Sequence, residues 1–234
     1  MEDFSQAFLL MFQMVASRDP ELLGIIELSL QISLSATALA TLLGLPLGAA
    51  AAVFRFPGRG VLAAMMNASM GLPPVVVGLV VYLGLSRAGP LGELGLLFTP
   101  QAMIITQTLL VTPIIAALTR QTIADLDDGC REQLMALNTP PAQMAFTLLW
   151  EGRFSVLTAI LAGFGRAIAE VGAVLIVGGN IRDVTRVMTT TIALETSKGN
   201  LALAMALGLI LLSITLLVNL LVTGLRNAAA RQYA

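Results

Sequence analysis

Five stretches of this chain stay apolar for long enough to cross a lipid bilayer, and that feature restricts the fold more than any other. A helix needs about 20 apolar residues to span the hydrocarbon core. The stretches run from about Ile25 to Phe54, Met65 to Leu85, Ala102 to Leu118, Val156 to Val177 and Leu201 to Leu225. In lipid every backbone amide must find a partner inside its own segment, so these runs predict helices rather than open strands. The expected fold class is an all-α membrane protein with five transmembrane helices. Composition agrees: 57% of the 234 residues are hydrophobic and 12% charged, about half the charge of an ordinary soluble domain. Too little polar side chain remains to cover a core of this size, so lipid is the outer solvent.

The ends read differently. Phe4–Val15 is apolar on one side but too short to span, which suits an interfacial helix. Glu2 and Asp3 stand where a signal peptide would carry positive charge, so no cleaved leader is expected. Five spans put the termini on opposite sides. Arg55, Arg59, Arg120, Arg131, Arg153, Arg226 and Arg231 fall on one side; Arg18, Arg87, Arg182, Arg186 and Lys198 fall on the other. The positive-inside rule then favours an external N-terminus and a cytoplasmic C-terminus. The resulting division is an external or interfacial segment at 1–20, a transmembrane domain at 21–226 with a cytoplasmic loop at about 120–153, and a cytoplasmic tail at 227–234.

That loop opens with an acidic cluster, Asp125, Asp127 and Asp128, followed by a predicted helix from about Arg131. A break comes at Asn138–Pro141, and a second helical run leads to Trp150. Asparagine tolerates the left-handed conformation that ends a helix, and proline is favoured in a first turn. The pattern fits a docking elbow or an ordinary solvated connector.

Polar groups inside the spans are few. Arg166 and Glu170 are four residues apart in the fourth run, so on a helix they share a face and can pair. Intramembrane charges face a protein interior or water, which leaves a pathway-lining helix or a self-neutralising structural pair. Small residues at Gly163, Gly165, Ala167, Ala169, Gly172 and Ala173 suit close helix contact. Residues 178–200 then supply Arg182, Arg186 and threonines 185, 189, 190 and 191. Hydroxyls, amides and guanidinium groups are what holds a tetrahedral oxyanion; a plain external loop is the alternative. Pro73–Pro74 and Pro113 are candidate kinks.

Several functions are excluded. A net charge of −1 offers no basic field for nucleic acid. The chain has no histidine, and Cys130 has no second cysteine with which to form an internal disulfide. It contains no GxxxxGK[ST], HExxH or GxSxG pattern, so neither a phosphate-binding loop nor a familiar hydrolase site is present.

Three segments carry a resemblance. FGRAIAEVGAVLIVGGNI at 164–181 presents Phe164, Arg166, Glu170, Gly172, Ala173, Asn180 and Ile181 at matching positions. TRVMTTTIALETSKGN at 185–200 and GLPPVVVG at 71–78 add to it. From about residue 22 to 226 the chain resembles permease subunits of ATP-binding-cassette importers of the molybdate, tungstate and sulfate branch, and 185–200 looks most like the tungstate permeases. The family's cytoplasmic motif, E-A-A with a later glycine and a late Leu-Pro, is degenerate here. Glu132 holds the Glu position and Asn138 the Gly position, but Gln133 and Leu134 replace the alanines and Trp150–Glu151 the Leu-Pro. The resemblance implies two copies of this chain forming the pathway, and two ATP-binding subunits docking on 125–150 through Glu132, Ala136, Leu137, Asn138 and Thr139. It also implies an external tungstate-binding protein, and a pathway or gate drawn from Arg166, Glu170, Asn180, Thr185, Arg186, Thr189, Thr190 and Thr191. No cofactor belongs to this chain in that scheme, since ATP is used by the partner. Molybdate and sulfate remain open as substrates, as does a stand-alone channel or secondary transporter.

Overall fold

The computed structural model describes residues 20–232, with side chains through Gly224, and before them Leu9, Phe12, Gln13 and Ser17 singly. The helix expected over Phe4–Val15 lies outside the described residues apart from three of those positions. The described elements are helical: α1 (Pro20–Val53), α2 (Arg59–Ser69), α3 (Pro74–Leu85), a 3-10 turn (Gly92–Leu94), α4 (Pro100–Ala136), α5 (Pro141–Glu151), α6 (Arg153–Ile168), α7 (Gly172–Gly178), α8 (Met188–Ser197) and α9 (Leu201–Gln232).

Three of these helices, α1, α4 and the Leu201–Gly224 part of α9, are long and apolar enough to cross a membrane alone. Five spans result if two bent pairs are each counted as one: α2 with α3, bent by 98°, and α5 with α6, bent by 77°. The candidate kink at Pro73–Pro74 falls where the chain leaves helix at Met70 and resumes at Pro74; Pro74 lacks the N–H an ongoing helix would use. Two sequence expectations are corrected. The fourth run ends at Ile168, and Gly172–Gly178 is a separate short helix. No separate helix starts at Arg131, because α4 runs unbroken from Pro100 through Pro113 to Ala136.

The chain forms two compact units. One comprises Met1–Ser35, Pro74–Gln107 and Ile168–Ala234; the other comprises Ala36–Pro73 and Thr108–Ala167. The first is centred on Ile32, Val81, Met103, Val174 and Val177, with Leu22, Ile25, Met188, Leu207 and Ile210 as a second cluster. Lipid tails compete with apolar side chains for each other, so close backbone approach rather than oil–water separation holds such helices together. Gly78 of α3 shows this: a Cβ there would lie 2.7 Å from Ala173 Cα on α7. The outer face of α9 carries Leu212, Leu216, Leu217, Leu220 and Leu221, all exposed, as a lipid-facing helix does.

In the second unit, Ala49, Ala52 and Val53 of α1 pack with Ile123 of α4 and Met144, Ala145 and Leu148 of α5. Arg59, at the start of α2, turns back on the end of α1. Its Nε donates to the Ala51 carbonyl at 3.1 Å and its Nη2 to the Ala52 carbonyl at 2.5 Å. These are orphan acceptors of the last helical turn, and a cation is favoured there by the helix dipole.

Candidate functional site

The elbow between α4 and α5 is built by local chemistry. Asn138 has φ +54°, its N–H donates to the Met135 carbonyl at 2.9 Å, and the Thr139 N–H reaches back to the Leu134 carbonyl at 3.1 Å. That pair of bonds around a left-handed residue is the Schellman stop. Asparagine serves here where glycine is commoner, because its side chain tolerates positive φ. Pro140 is extended and Pro141 opens α5, where its missing N–H leaves nothing unsatisfied.

Two faces result. Met144, Ala145 and Leu148 of α5 turn inward. Outward stand Met135 (60% exposed), Leu137 (76%), Phe146 (70%) and Trp150 (61%), with Glu132, Ala136, Asn138 and the acids Asp125 and Asp128 exposed near them. Asp127 differs from its neighbours: it is buried and pairs with Arg131 one turn on. A cluster of large exposed apolar side chains rimmed by charge marks a binding surface more often than a bare connector. Arg153 lies over the rings of Trp150 and Phe154, at 5.2 and 4.8 Å, and its Nη1 donates to the Trp150 carbonyl, fixing the bend into α6.

The second candidate region belongs to the other unit and starts at the break after Ile168. Glu170 is 5% exposed, and its Oε1 accepts the Ala173 N–H of α7 at 3.0 Å. Arg166 and Glu170 are therefore not on one helix: Arg166 is in α6 and Glu170 in the break. The one-face relation expected from their spacing needs a helix through 170, and that helix is absent.

Beyond α7 the chain turns sharply at Gly179 (φ +70°), which faces the Phe98 ring, and at Asn180 (φ +50°). The threonines expected to offer outward donors are buried, and their hydroxyls serve this chain's own backbone. Thr185 Oγ1 donates to the Gly178 carbonyl and accepts the Ile181 N–H. Thr189 donates to the Glu170 carbonyl at 2.9 Å and Thr191 to the Val187 carbonyl at 2.7 Å. Thr190 shares its hydrogen between Asn180 Oδ1 and the Val187 carbonyl, and accepts the Val187 N–H that opens α8. These contacts use up donors that an anion would otherwise meet.

Arg186 is placed differently. Glu21 in the first turn of α1 pairs through one oxygen with Arg182 and through the other with Arg186 at 3.6 Å. Beside them is a cavity of about 300 Å³ lined by Glu21, Glu27, Gln31, Asp183 and Arg186. Three carboxylates against one guanidinium give it the wrong sign for a resident anion. On α8, the Lys198 ammonium hydrogen-bonds Glu195 and holds its carboxyl below the ordinary range.

Sequence reading passed over Ser29, Ser33 and Gln107, all buried in the first unit. The four-residue spacing of Ser29, Ser33 and Thr37 along an apolar helix was the available signal.

Residues 44–232 match the family described as binding-protein-dependent transport system inner membrane component. A probable anion ABC transporter permease of Haloferax volcanii is 43% identical over 205 residues, 86% of this chain and 88% of that protein. The tungstate uptake system permease TupB of Peptoclostridium acidaminophilum is 39% identical over 227 residues, 97% of this chain and 100% of that one. A chain of the MetNI methionine ABC transporter, solved in inward-facing conformations, superposes with a TM-score of 0.75 over 90% of this chain and 96% of its own. At 17% identity that likeness speaks to the fold alone.

Proposed function

The chain belongs to the family of binding-protein-dependent transport system inner membrane components, and from that premise we propose that it is the permease subunit of an ATP-driven importer carrying tungstate across the cell membrane. The observation that carries the reading is its alignment, 39% identical, with a tungstate uptake permease along that protein's full length. Two copies form the pathway. ATP is hydrolysed by a separate cassette subunit, also in two copies, and an external binding protein delivers the anion. This chain holds no cofactor of its own.

The elbow supports the coupling half of the proposal. Leu137, Phe146 and Trp150 expose apolar surface that a partner can bury, Glu132 and Ala136 stand in the last turns of α4, and Asn138 and Thr139 lie in the turn between the two helices. The elbow faces the cytoplasm, with the N-terminus outside and the C-terminus inside, in keeping with the arginine distribution. In this reading Arg166, Glu170 and Asn180 shape the broken span beside the pathway. Thr185, Thr189, Thr190 and Thr191 hold the following segment in place, and Arg186 is the residue that can turn toward a passing anion once Glu21 releases it.

The test is reconstitution in proteoliposomes with the cassette subunit and binding protein. Tungstate uptake and tungstate-stimulated ATP hydrolysis are expected, with molybdate and sulfate as competitors. Glu132→Ala combined with Asn138→Pro is expected to leave ATP hydrolysis running without uptake. Uptake without any cassette subunit would favour a self-sufficient carrier, and a preference for molybdate or sulfate would correct the substrate.

A further inference from the structure

Beneath α2, wholly within the second unit, lies an apolar groove of about 280 Å³. Its walls are Leu47 of α1, Leu62, Met65 and Met66 of α2, and Pro113 and Ala116 of α4. Helix α2 buries none of its own residues and Met65 is 62% exposed, so the groove is open along one side. At membrane depth an open apolar groove meets hydrocarbon rather than water.

Positive charge collects at one end of it. Arg120 follows Ala116 by one turn on the same face of α4. A helical side chain leans toward its helix's N-terminus, which carries the Arg120 side chain back over Ala116. The Arg120 Nε is buried without a hydrogen-bond acceptor, and among the described residues no carboxylate pairs with this side chain. Arg59 stands at the same end, three residues before Leu62 on α2. Its Nε and Nη2 are held by the carbonyls of Ala51 and Ala52, one turn beyond Leu47 on α1. It too has no carboxylate partner among the described residues. The link between α1 and α2 exposes Phe54, Arg55 and Phe56. Aromatic rings are enriched at the membrane–water interface, and arginine heads snorkel there, so this end of the groove sits at headgroup level.

A matching occupant is apolar along its length and anionic at one end. An inorganic anion leaves the apolar walls bare, and a neutral lipid leaves two guanidinium groups without a counter-charge. We infer that the groove binds an anionic phospholipid, with one acyl chain between α1, α2 and α4 and the phosphate at Arg120 and Arg59. Guanidinium groups hold phosphate through paired N–H donors, and basic pockets between membrane helices take anionic headgroups. The lipid ties α2 to the two long helices it leans over. This inference needs only the membrane setting; it is independent of the cargo and of the cassette partner.

The reporter is Met65→Trp in the full-length chain, with Trp150→Phe removing the other tryptophan. It is reconstituted in mixed phosphatidylcholine and phosphatidylglycerol vesicles with one or the other lipid brominated, and quenching reads which lipid lies against α2. The anionic lipid is expected to be preferred about 30-fold, roughly fivefold for each arginine. Arg120→Gln is expected to cut that preference to about fivefold. If the reporter does not fold, the wild-type chain and Arg120→Gln are melted in detergent with each lipid. Phosphatidylglycerol is then expected to raise the wild-type Tm roughly 2–4 °C more than the variant's. Equal quenching by the two lipids would overturn the site, as would a preference or a Tm gain that Arg120→Gln keeps in full. Quenching by neither lipid would mean that a second copy of the chain covers the groove, and would overturn it too. So would a Tm gain from inorganic phosphate equal to that from phosphatidylglycerol, because the apolar walls would then contribute nothing.

Discussion

Gly78→Ala tests whether the α3–α7 crossing is as close as described. The added Cβ would sit 2.7 Å from Ala173 Cα, 3.1 Å from its carbonyl oxygen and 3.2 Å from its Cβ. The nearest of these is backbone, so no side-chain rotation relieves the overlap and the helices must part. Overpacking of this kind destabilises by about 1–3 kcal/mol. Alanine also gains up to about 1 kcal/mol of helix propensity over glycine, so the net loss is roughly 1–2 kcal/mol. Gly84 lies on the same helix with nothing within 4 Å of its would-be Cβ, so Gly84→Ala receives the propensity gain without the overlap. The two variants are compared by thermal melting in detergent, using the fluorescence of Trp150, the chain's single tryptophan. The two differ by the overlap cost alone, so Gly78→Ala is expected to melt roughly 2–12 °C below Gly84→Ala, at about 2–4 °C per kcal/mol for a chain of this size. Equal melting temperatures would show that the crossing is looser than the distances state, and the packing argument would fall.

Arg59→Ala removes two charged hydrogen bonds to the last turn of α1 and is expected to lower stability by about 1–2 kcal/mol; Arg59→Lys should recover part of it, and no change on melting would count against the cap. Thr185→Val leaves the Gly178 carbonyl and the Ile181 N–H without their partner, an expected loss of about 1–3 kcal/mol, whereas Thr185→Ser should melt near wild type. Asn138→Gly is expected to retain both stability and ATPase coupling because glycine accepts φ +54°, while Asn138→Val forces a branched residue into that region at about 1–2 kcal/mol; equal melting of the two would contradict the turn geometry.

The parts of this fold that depend on neighbours in sequence were legible beforehand. Apolar runs located the spans, and Asn138 followed by Pro140–Pro141 marked the elbow, because a helix stop and restart are written in adjacent residues. The breaks were legible only in part. Pro73–Pro74 marked a candidate kink, but averaged hydropathy from Met65 to Leu85 is blind to the size of the 98° bend between α2 and α3, and Ile168–Gly172 stays apolar enough to read as continuous. The start of polarity at Thr119 was read as the approach to a new helix, yet α4 continues because intrahelical bonds are indifferent to whether lipid or water lies outside. The hydroxyl partners of the threonines of 185–191 were illegible for another reason. What a hydroxyl bonds is decided by distant groups, such as the Glu170 carbonyl for Thr189, and sequence spacing carries no record of them.

From Pro113 to Ala136, α4 is one rod about 35 Å long at 1.5 Å per residue. A push at the elbow therefore reaches mid-span with no intervening loop to absorb it. Pro113 is the point of least stiffness, since its ring nitrogen leaves the Leu109 carbonyl without the usual i+4 donor. In the proposed coupling, a stroke delivered at the far end would concentrate as bending at that residue, and the amplitude of movement inside the bilayer would scale with lever length rather than with the strength of any one contact.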